Sequence, residues 1–175
     1  QPFIDGSGLL TFTPASDANG SATVTVSLSD DAGGDDTSPE QTFIITVTPV
    51  NDAPSFTLSD DNITVDEDFG TTASITVTQG FVPSDESGQA VLYSITPPSV
   101  NFADISIDSG TGEITIVKIT DANGTAEITV TANDQQLDNN TFTETFTLEV
   151  TPINDAPSFT LSDDNITVDE DFGTT

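Results

Sequence analysis

Oxygen ligands for a hard cation stand side by side in several short stretches of this chain. Asn51 and Asp52 open the run NDAPS, which recurs at Asn154 and Asp155; Asp85 and Glu86 share the turn SDESG; and Asp134 closes the strand-like run TAND. Carboxylate and amide oxygens in irregular array suit calcium, which takes about six to eight oxygens at roughly 2.3–2.6 Å and tolerates uneven geometry. The rest of the composition points the same way. Acidic residues number 30 against a single Lys+Arg, for a formal net charge of -29. A chain so charged opposes its own compaction until something cationic screens it. It also repels polyanions, which argues against nucleic acid and anionic membrane surfaces as partners. With no Cys, Met, Trp or His, thiol chemistry, disulfides, imidazole bases and soft-metal sites are all excluded. A bound hard cation is then the available staple for a small domain.

The same residues do not describe an enzyme. Paired carboxylates hydrolyse glycosides, yet among 30 acids some pair always falls at a workable separation, so the pairing carries no information. GxSxG, HExxH and phosphate-loop patterns are missing from the sequence, as is any Cys/His arrangement. The chain is read as non-catalytic.

What must position the oxygens is a repeat. The stretch NDAPSFTLSDDNITVDEDFGTT occupies residues 51–72 and, unchanged, residues 154–175, an offset of 103. A weaker match, SDANGSATVTVSLSDD from Ser16 against TDANGTAEITVTAND from Thr120, supports nearly the same offset, 104. The chain therefore parses into three parts: residues 1–50 as the C-terminal part of one repeat, 51–153 as a complete repeat, and 154–175 as the start of the next. On this parsing the chain is a piece of a longer polypeptide, with any export signal outside it.

Within the complete repeat the apolar period is two. In FTETFTLEV, Phe142, Phe146, Leu148 and Val150 share a face against Thr and Glu; Ala126, Ile128, Val130 and Ala132 do so in TAEITVTA, and Ile114 with Ile116 in EITIV. Further strands are expected at SFTLS, NITVD, ASITVTQ, AVLYSI and ADISI, with Thr, Val and Ile supplying β propensity. No apolar spacing of three and four is long enough for a helix. About seven or eight short strands, each with one wet and one dry face, describe an all-β, antiparallel two-sheet sandwich. Asn19-Gly20, Asn123-Gly124 and Gly110 to Glu113 are expected as tight hairpin turns. Pro49 with Pro54, and Pro152 with Pro157, stiffen the two joints, so the tandem modules are expected to stack end to end.

The ordered set SDESGQAVLYSI, FADISIDSGTGEI, ITVTAND and TPINDAP resembles the cadherin repeats found in tandem in very large bacterial surface adhesins. The resemblance implies Ig/cadherin-like sandwich modules joined end to end and calcium at each joint. It places Asp85, which shares its turn with Glu86, and Asp134 at the end of the complete repeat facing the first joint, where Asn51 and Asp52 lie, with Asp17 and Asn19 of the DANG turn reaching it from the preceding repeat. The equivalent set at the second joint is Glu67, Asp121, Asn123, Asn154 and Asp155. One departure stands out: ITDANG replaces the family's Leu-Asp-Arg-Glu stretch, so only Asp121 matches there, and one or two ions per joint are implied. The implied role is a repetitive stalk or spacer of a secreted, extracellular cell-surface adhesin or filament, with neighbouring repeats of the same chain as partners. The alternative is a calcium-dependent module that grips a ligand itself, either a surface glycan or a neighbouring filament through an exposed sheet edge. Sugar sites favour exposed Trp or Tyr, and the single Tyr, Tyr93, falls in a strand where burial is expected.

Overall fold

The computed structural model describes residues 1–70, 72–170 and 173. Among them every regular element is a strand. Residues 1–50 carry four: β1 (Phe3–Ile4) and β2 (Leu10–Thr11) form one antiparallel pair, β3 (Gly20–Val26) and β4 (Gln41–Val47) another. Residues 51–153 carry ten, and their order follows from which faces must be dry. The long strands β13 (Gly124–Asn133) and β14 (Thr141–Thr151) pair in antiparallel register along their whole length, with Ile128 opposite Phe146 and Ala126 opposite Leu148. They are flanked by β9 (Leu92–Thr96) on one side and β6 (Asn62–Asp66) on the other, giving the sheet β6-β14-β13-β9. The facing sheet is β10-β11-β12-β7, built from β10 (Ser99–Val100), β11 (Ala103–Ile107), β12 (Ile114–Lys118) and β7 (Thr72–Ile75). A short ribbon of β5 (Phe56–Leu58) and β8 (Val77–Gln79) completes the unit.

Alternation explains the core. Ile128, Val130, Ala132, Phe146, Leu148 and Val150 point inward from one sheet and are buried, as are Ala103, Ile105, Ile114 and Ile116 from the other. Phe56 lies between Tyr93 and Phe142 with ring centroids 5.8 and 5.4 Å away, both edge to face, the arrangement the ring quadrupoles favour. Every fully buried apolar side chain of this core belongs to residues 56–150. Residues 1–50 contain none: Phe43, Ile45 and Val47 of β4 are only half-buried.

The sandwich is all-β as the sequence implied, with three corrections of detail. The pairing of β6 with β14 is parallel, Ile63 opposite Leu148 and Val65 opposite Val150, within an otherwise antiparallel sheet. ASITVTQ is two strands, because the chain leaves the β12 edge after Ile75 and joins β5 from Val77; Thr76 is tied to Ser59 at the crossing, donating to its Oγ at 3.1 Å and accepting from its N–H at 2.9 Å. Asn123-Gly124 is not a hairpin, since β12 and β13 belong to opposite sheets. The turn there is made by Asp121, whose φ of 55° is left-handed, and Gly124 at 158°; Asp17 and Gly20 repeat it at 53° and 126°. The hairpin at Gly110 to Glu113 does join paired strands, β11 and β12, with Gly112 at φ 74°.

The largest difference lies between the two identical stretches. In residues 51–72 SFTLS and NITVD become β5 and β6, whereas residues 154–170 form no strand and are exposed throughout. Phe56 is 3% exposed and its counterpart Phe159 is 85%. The segments share their local propensities, so the difference is tertiary: β6 exists because β14 offers an edge, and β5 because β8 does.

Candidate metal centre

The first joint is organised around Asn51. Its Oδ1 accepts a hydrogen bond from Gln89 Nε2 at 3.0 Å, and its backbone carbonyl accepts one from Asn139 Nδ2 at 3.1 Å. Its Nδ2 faces four oxygens: Asp134 Oδ2 and the Asp138 carbonyl at 3.0 Å, the Asn139 carbonyl at 3.2 Å and the Asp52 carbonyl at 3.3 Å. Two N–H bonds thus meet four acceptors, an oxygen-rich environment centred where a cation would be at home. Asp134 is held from below. It follows the last residue of β13, its N–H donates to the Asn140 carbonyl at 3.1 Å, and its Oδ1 accepts from the Gln136 N–H at 3.0 Å. The loop closes so tightly because Gln135 and Asn139 adopt left-handed φ angles of 68° and 51°.

Glu86 approaches from the opposite loop. Its own N–H bonds the Pro83 carbonyl at 3.1 Å, and its Oε1 accepts the Asp52 N–H at 2.6 Å, a charge-assisted bond to the start of the same repeat. Glu86 is 5% exposed and Asp134 3%, and with Glu67 they are the buried acids of the described residues. Acids are seldom this buried unless something compensates their charge. Asp17, Asn19, Asp52 and Asp85 line one cleft of about 210 Å³ together with Pro49 and Val50. Residues from both sides of the joint therefore share a single polar recess.

The second joint repeats part of this. Glu67 continues from the end of β6, its N–H bonding the Thr151 carbonyl at 2.9 Å; its Oε1 accepts the Ile153 N–H at 2.7 Å and its Oε2 accepts Asn123 Nδ2 at 3.2 Å. Asn154 Nδ2 donates to the Asp155 carbonyl at 3.2 Å, as Asn51 does to Asp52. The Asp155 carboxyl is held above its ordinary 3.8 first by the negative charge of Asp121, then by desolvation, and then by Asp68 and Glu67. Like charges therefore gather here as well, and Asp68 joins a set that motif spacing alone did not include. The Asp138 and Asn139 carbonyls and the Gln89 amide at the first joint were also absent from the sequence-derived set, because backbone oxygens leave no signature in residue types.

Every group in these two sets that could hold a metal offers oxygen, which suits calcium. Among the described residues no three Asp or Glu side chains converge closely enough to grip an ion by themselves. At the first joint the oxygens on offer besides the separate carboxylates of Asp134, Glu86, Asp52 and Asp85 are neutral: the Asn51 amide and the 138–139 carbonyls.

No family model matches the chain, and no curated protein does. Solved structures do. The extracellular cadherin domains 1–4 of protocadherin gamma B7 superpose with a TM-score of 0.51 at 19% identity, covering 89% of this chain and 39% of that one. The third cadherin domain of human protocadherin 7 aligns over 65% of this chain and 98% of its own at 16% identity and a TM-score of 0.41. A piece of mouse cadherin-23 covers 87% and 50%, at 16% identity and 0.47. The chain thus spans about two fifths of the protocadherin gamma B7 fragment and half of the cadherin-23 fragment. The fold is a β-sandwich of the cadherin type.

Proposed function

We propose that this chain is part of the repetitive stalk of a secreted cell-surface adhesin, of the kind built from tandem cadherin-like repeats in bacteria, and that calcium at the joints makes it rigid. The repeat boundaries at residues 50/51 and 153/154 are the module joints of that stalk. The observation that carries the reading is the first joint, where Asp17 and Asn19 from one side and Asp52 and Asp85 from the other line the same cleft, beside buried Glu86 and Asp134. Charge of one sign drawn from both sides of a hinge makes it open when bare and close when a divalent ion is bound.

Extracellular calcium modules have dissociation constants on the order of 0.1–1 mM, so seawater or host fluid would fill such sites. An ion held only by the folded state adds about 2.7 kcal/mol per site at a hundredfold excess over that constant. The role is mechanical, with neighbouring repeats as the immediate partners and no chemistry on a substrate. Tyr93 is 7% exposed and packs on Phe56, which leaves no tyrosine platform for a sugar and favours the stalk over a glycan-binding module. No helix is long and apolar enough to cross a membrane among the described residues.

Isothermal titration of the chain with calcium tests the assignment. Saturable binding whose stoichiometry falls in the double variant Asp52→Asn, Asp134→Asn is expected, the second joint being left intact; a heat trace indistinguishable from that of calcium diluted into buffer alone would remove calcium from the account.

A further inference from the structure

One turn of the complete repeat sets two side-chain amides against each other at the first joint. Between Pro83 and Gln89 the chain is tied by three bonds: the Glu86 N–H to the Pro83 carbonyl at 3.1 Å, Ser87 Oγ to the Ser84 carbonyl at 3.0 Å, and the Gln89 N–H to the Glu86 carbonyl at 2.8 Å. The turn that aims Glu86 at the Asp52 N–H therefore also places Gln89 beside Asn51, where its Nε2 donates to Asn51 Oδ1 at 3.0 Å. That bond decides which end of the Asn51 amide faces the joint. With Oδ1 held by Gln89, Nδ2 points at Asp134 Oδ2 and at the carbonyls of Asp52, Asp138 and Asn139, all at 3.0–3.3 Å. An amide NH2 only donates, so it satisfies those four oxygens in place of a cation and covers the oxygens a cation would use. Asn51 is anchored through its backbone carbonyl, which accepts from Asn139 Nδ2 at 3.1 Å, so its side chain can turn over without moving the main chain. Among the described residues no donor meets Gln89 Oε1, and that amide can turn as well.

We infer that Asn51 and Gln89 form a coupled amide switch at the first joint, with Gln89 as the positioning residue. In the bare joint Gln89 donates to Asn51, and the Asn51 nitrogen fills the oxygen cluster. In the calcium-bound joint both amides are turned over: Asn51 Oδ1 joins the oxygens of the cluster, and Asn51 Nδ2 donates to Gln89 Oε1. The inference rests on the reading of this joint as a calcium site. Asn51 cannot turn alone, because its Nδ2 would then face Gln89 Nε2, donor against donor, with hydrogens left unpaired on both. Glutamine serves the two states equally, since its amide presents a donor or an acceptor, whereas a carboxylate or an ammonium at position 89 serves only one of them. A ligand shifts such an equilibrium only through its preference for one state, and nitrogen against oxygen at the centre of the cluster supplies that preference. The switch also keeps the buried Asp134 carboxylate hydrogen-bonded when calcium is withdrawn.

Scalar coupling through the hydrogen bond, measured by NMR on the isotope-labelled chain in chelator and then in calcium, reads the direction of donation. In chelator, coupling between Gln89 Nε2 and Asn51 Cγ is expected. In calcium it is expected to vanish and to be replaced by coupling between Asn51 Nδ2 and Gln89 Cδ, both amides changing at the same calcium concentration. Saturable calcium binding at the joint with the first coupling retained would overturn the switch and leave the calcium reading in place; no response of any joint resonance to calcium would overturn both. A carboxylate at position 51 presents oxygen whichever way it lies, so Asn51→Asp removes the turn and keeps the ligand. In this variant Gln89 is expected to donate to position 51 in both conditions. Its melting temperature is expected to fall below that of the wild type in chelator, where no NH2 covers Asp134, and the gap to narrow in calcium. A variant as stable as the wild type in chelator would show that the Asn51 nitrogen does not hold the bare cluster together and would contradict the inference.

Discussion

Replacing Glu86 by Gln separates a structural acid from a metal ligand, because the substitution keeps the side chain's shape and one acceptor oxygen while removing the charge. Glu86 is 5% exposed and accepts the Asp52 N–H at 2.6 Å. A hydrogen bond to a charged acceptor contributes about 1.5–3 kcal/mol and a neutral one about 0.5–1.5, so without calcium the variant loses roughly 1 kcal/mol. For a module of about 100 residues that lowers the melting temperature by about 4–8 °C. With calcium a second loss is added. If the exchange of carboxylate for amide weakens binding about tenfold, then at a concentration one hundred times the wild-type dissociation constant the stabilisation per site falls from about 2.7 to about 1.4 kcal/mol. Calorimetric melting of wild type and Glu86→Gln, each in chelator and in calcium, reads both terms. The calcium-induced rise is expected to be roughly halved in the variant. Equal rises in the two proteins would show that Glu86 only anchors the Asp52 backbone and would refute its place among the ligands.

Other positions test the frame around the joint. Gly112→Ala places a methyl 2.7 Å from Val77 Cβ at a φ of 74°, which costs about 2–4 kcal/mol by denaturant unfolding, whereas Gly110→Ala, whose nearest neighbour would be 3.7 Å away, stays within about 0.5 kcal/mol. The Asp108 carboxylate accepts from the Thr111 N–H at 2.7 Å, from Thr111 Oγ1 at 2.9 Å and from the Gly110 N–H at 3.0 Å, and these bonds hold its pKa below the ordinary 3.8. A depressed carboxylate stabilises the fold above the unfolded value and loses that contribution as pH falls through the folded one, so Asp108→Asn is expected to be less stable than wild type at neutral pH, with the gap closing below pH 3.8 in melting experiments. Asp155 has the opposite sign: repulsion from Asp121 raises its pKa, and its charged form disfavours the joint. Its carboxyl resonance is expected to titrate above 3.8 in chelator and to move down on adding calcium; a midpoint indifferent to calcium would separate Asp155 from any ion at the second joint.

The sandwich was legible because its strands are amphipathic with period two. Ile128, Val130, Phe146 and Leu148 could be assigned to the core from alternation alone, and each is at most 1% exposed. Pairing direction was not legible: NITVD reads as a half-buried strand whether its neighbour runs parallel or antiparallel, and only the crossing from β5 at Leu58 to β6 at Asn62 brings it to β14 in parallel. ASITVTQ looked like one strand since its alternation is unbroken, yet the hydrogen bonds between Thr76 and Ser59 carry it from one sheet to the other. Asn123-Gly124 carried the residue pair of a hairpin, and the left-handed φ fell on Asp121 instead. At the joint, the side-chain donors could be listed from composition and spacing, but the carbonyls of Asp138 and Asn139 depend on a loop conformation that residue types do not encode. The identical residues 51–67 and 154–170 make the same point most directly, for one sequence gives two strands or none according to the edge beside it.

Small-angle scattering of the chain in chelator and in millimolar calcium addresses the central claim most directly. With the joint carboxylates bridged, the residues on either side of 50/51 become one stiff body, and the account predicts that calcium lengthens the maximum dimension, narrows the distribution of shapes and raises the melting temperature in the same samples. Identical scattering curves and melting temperatures in the two buffers would contradict it.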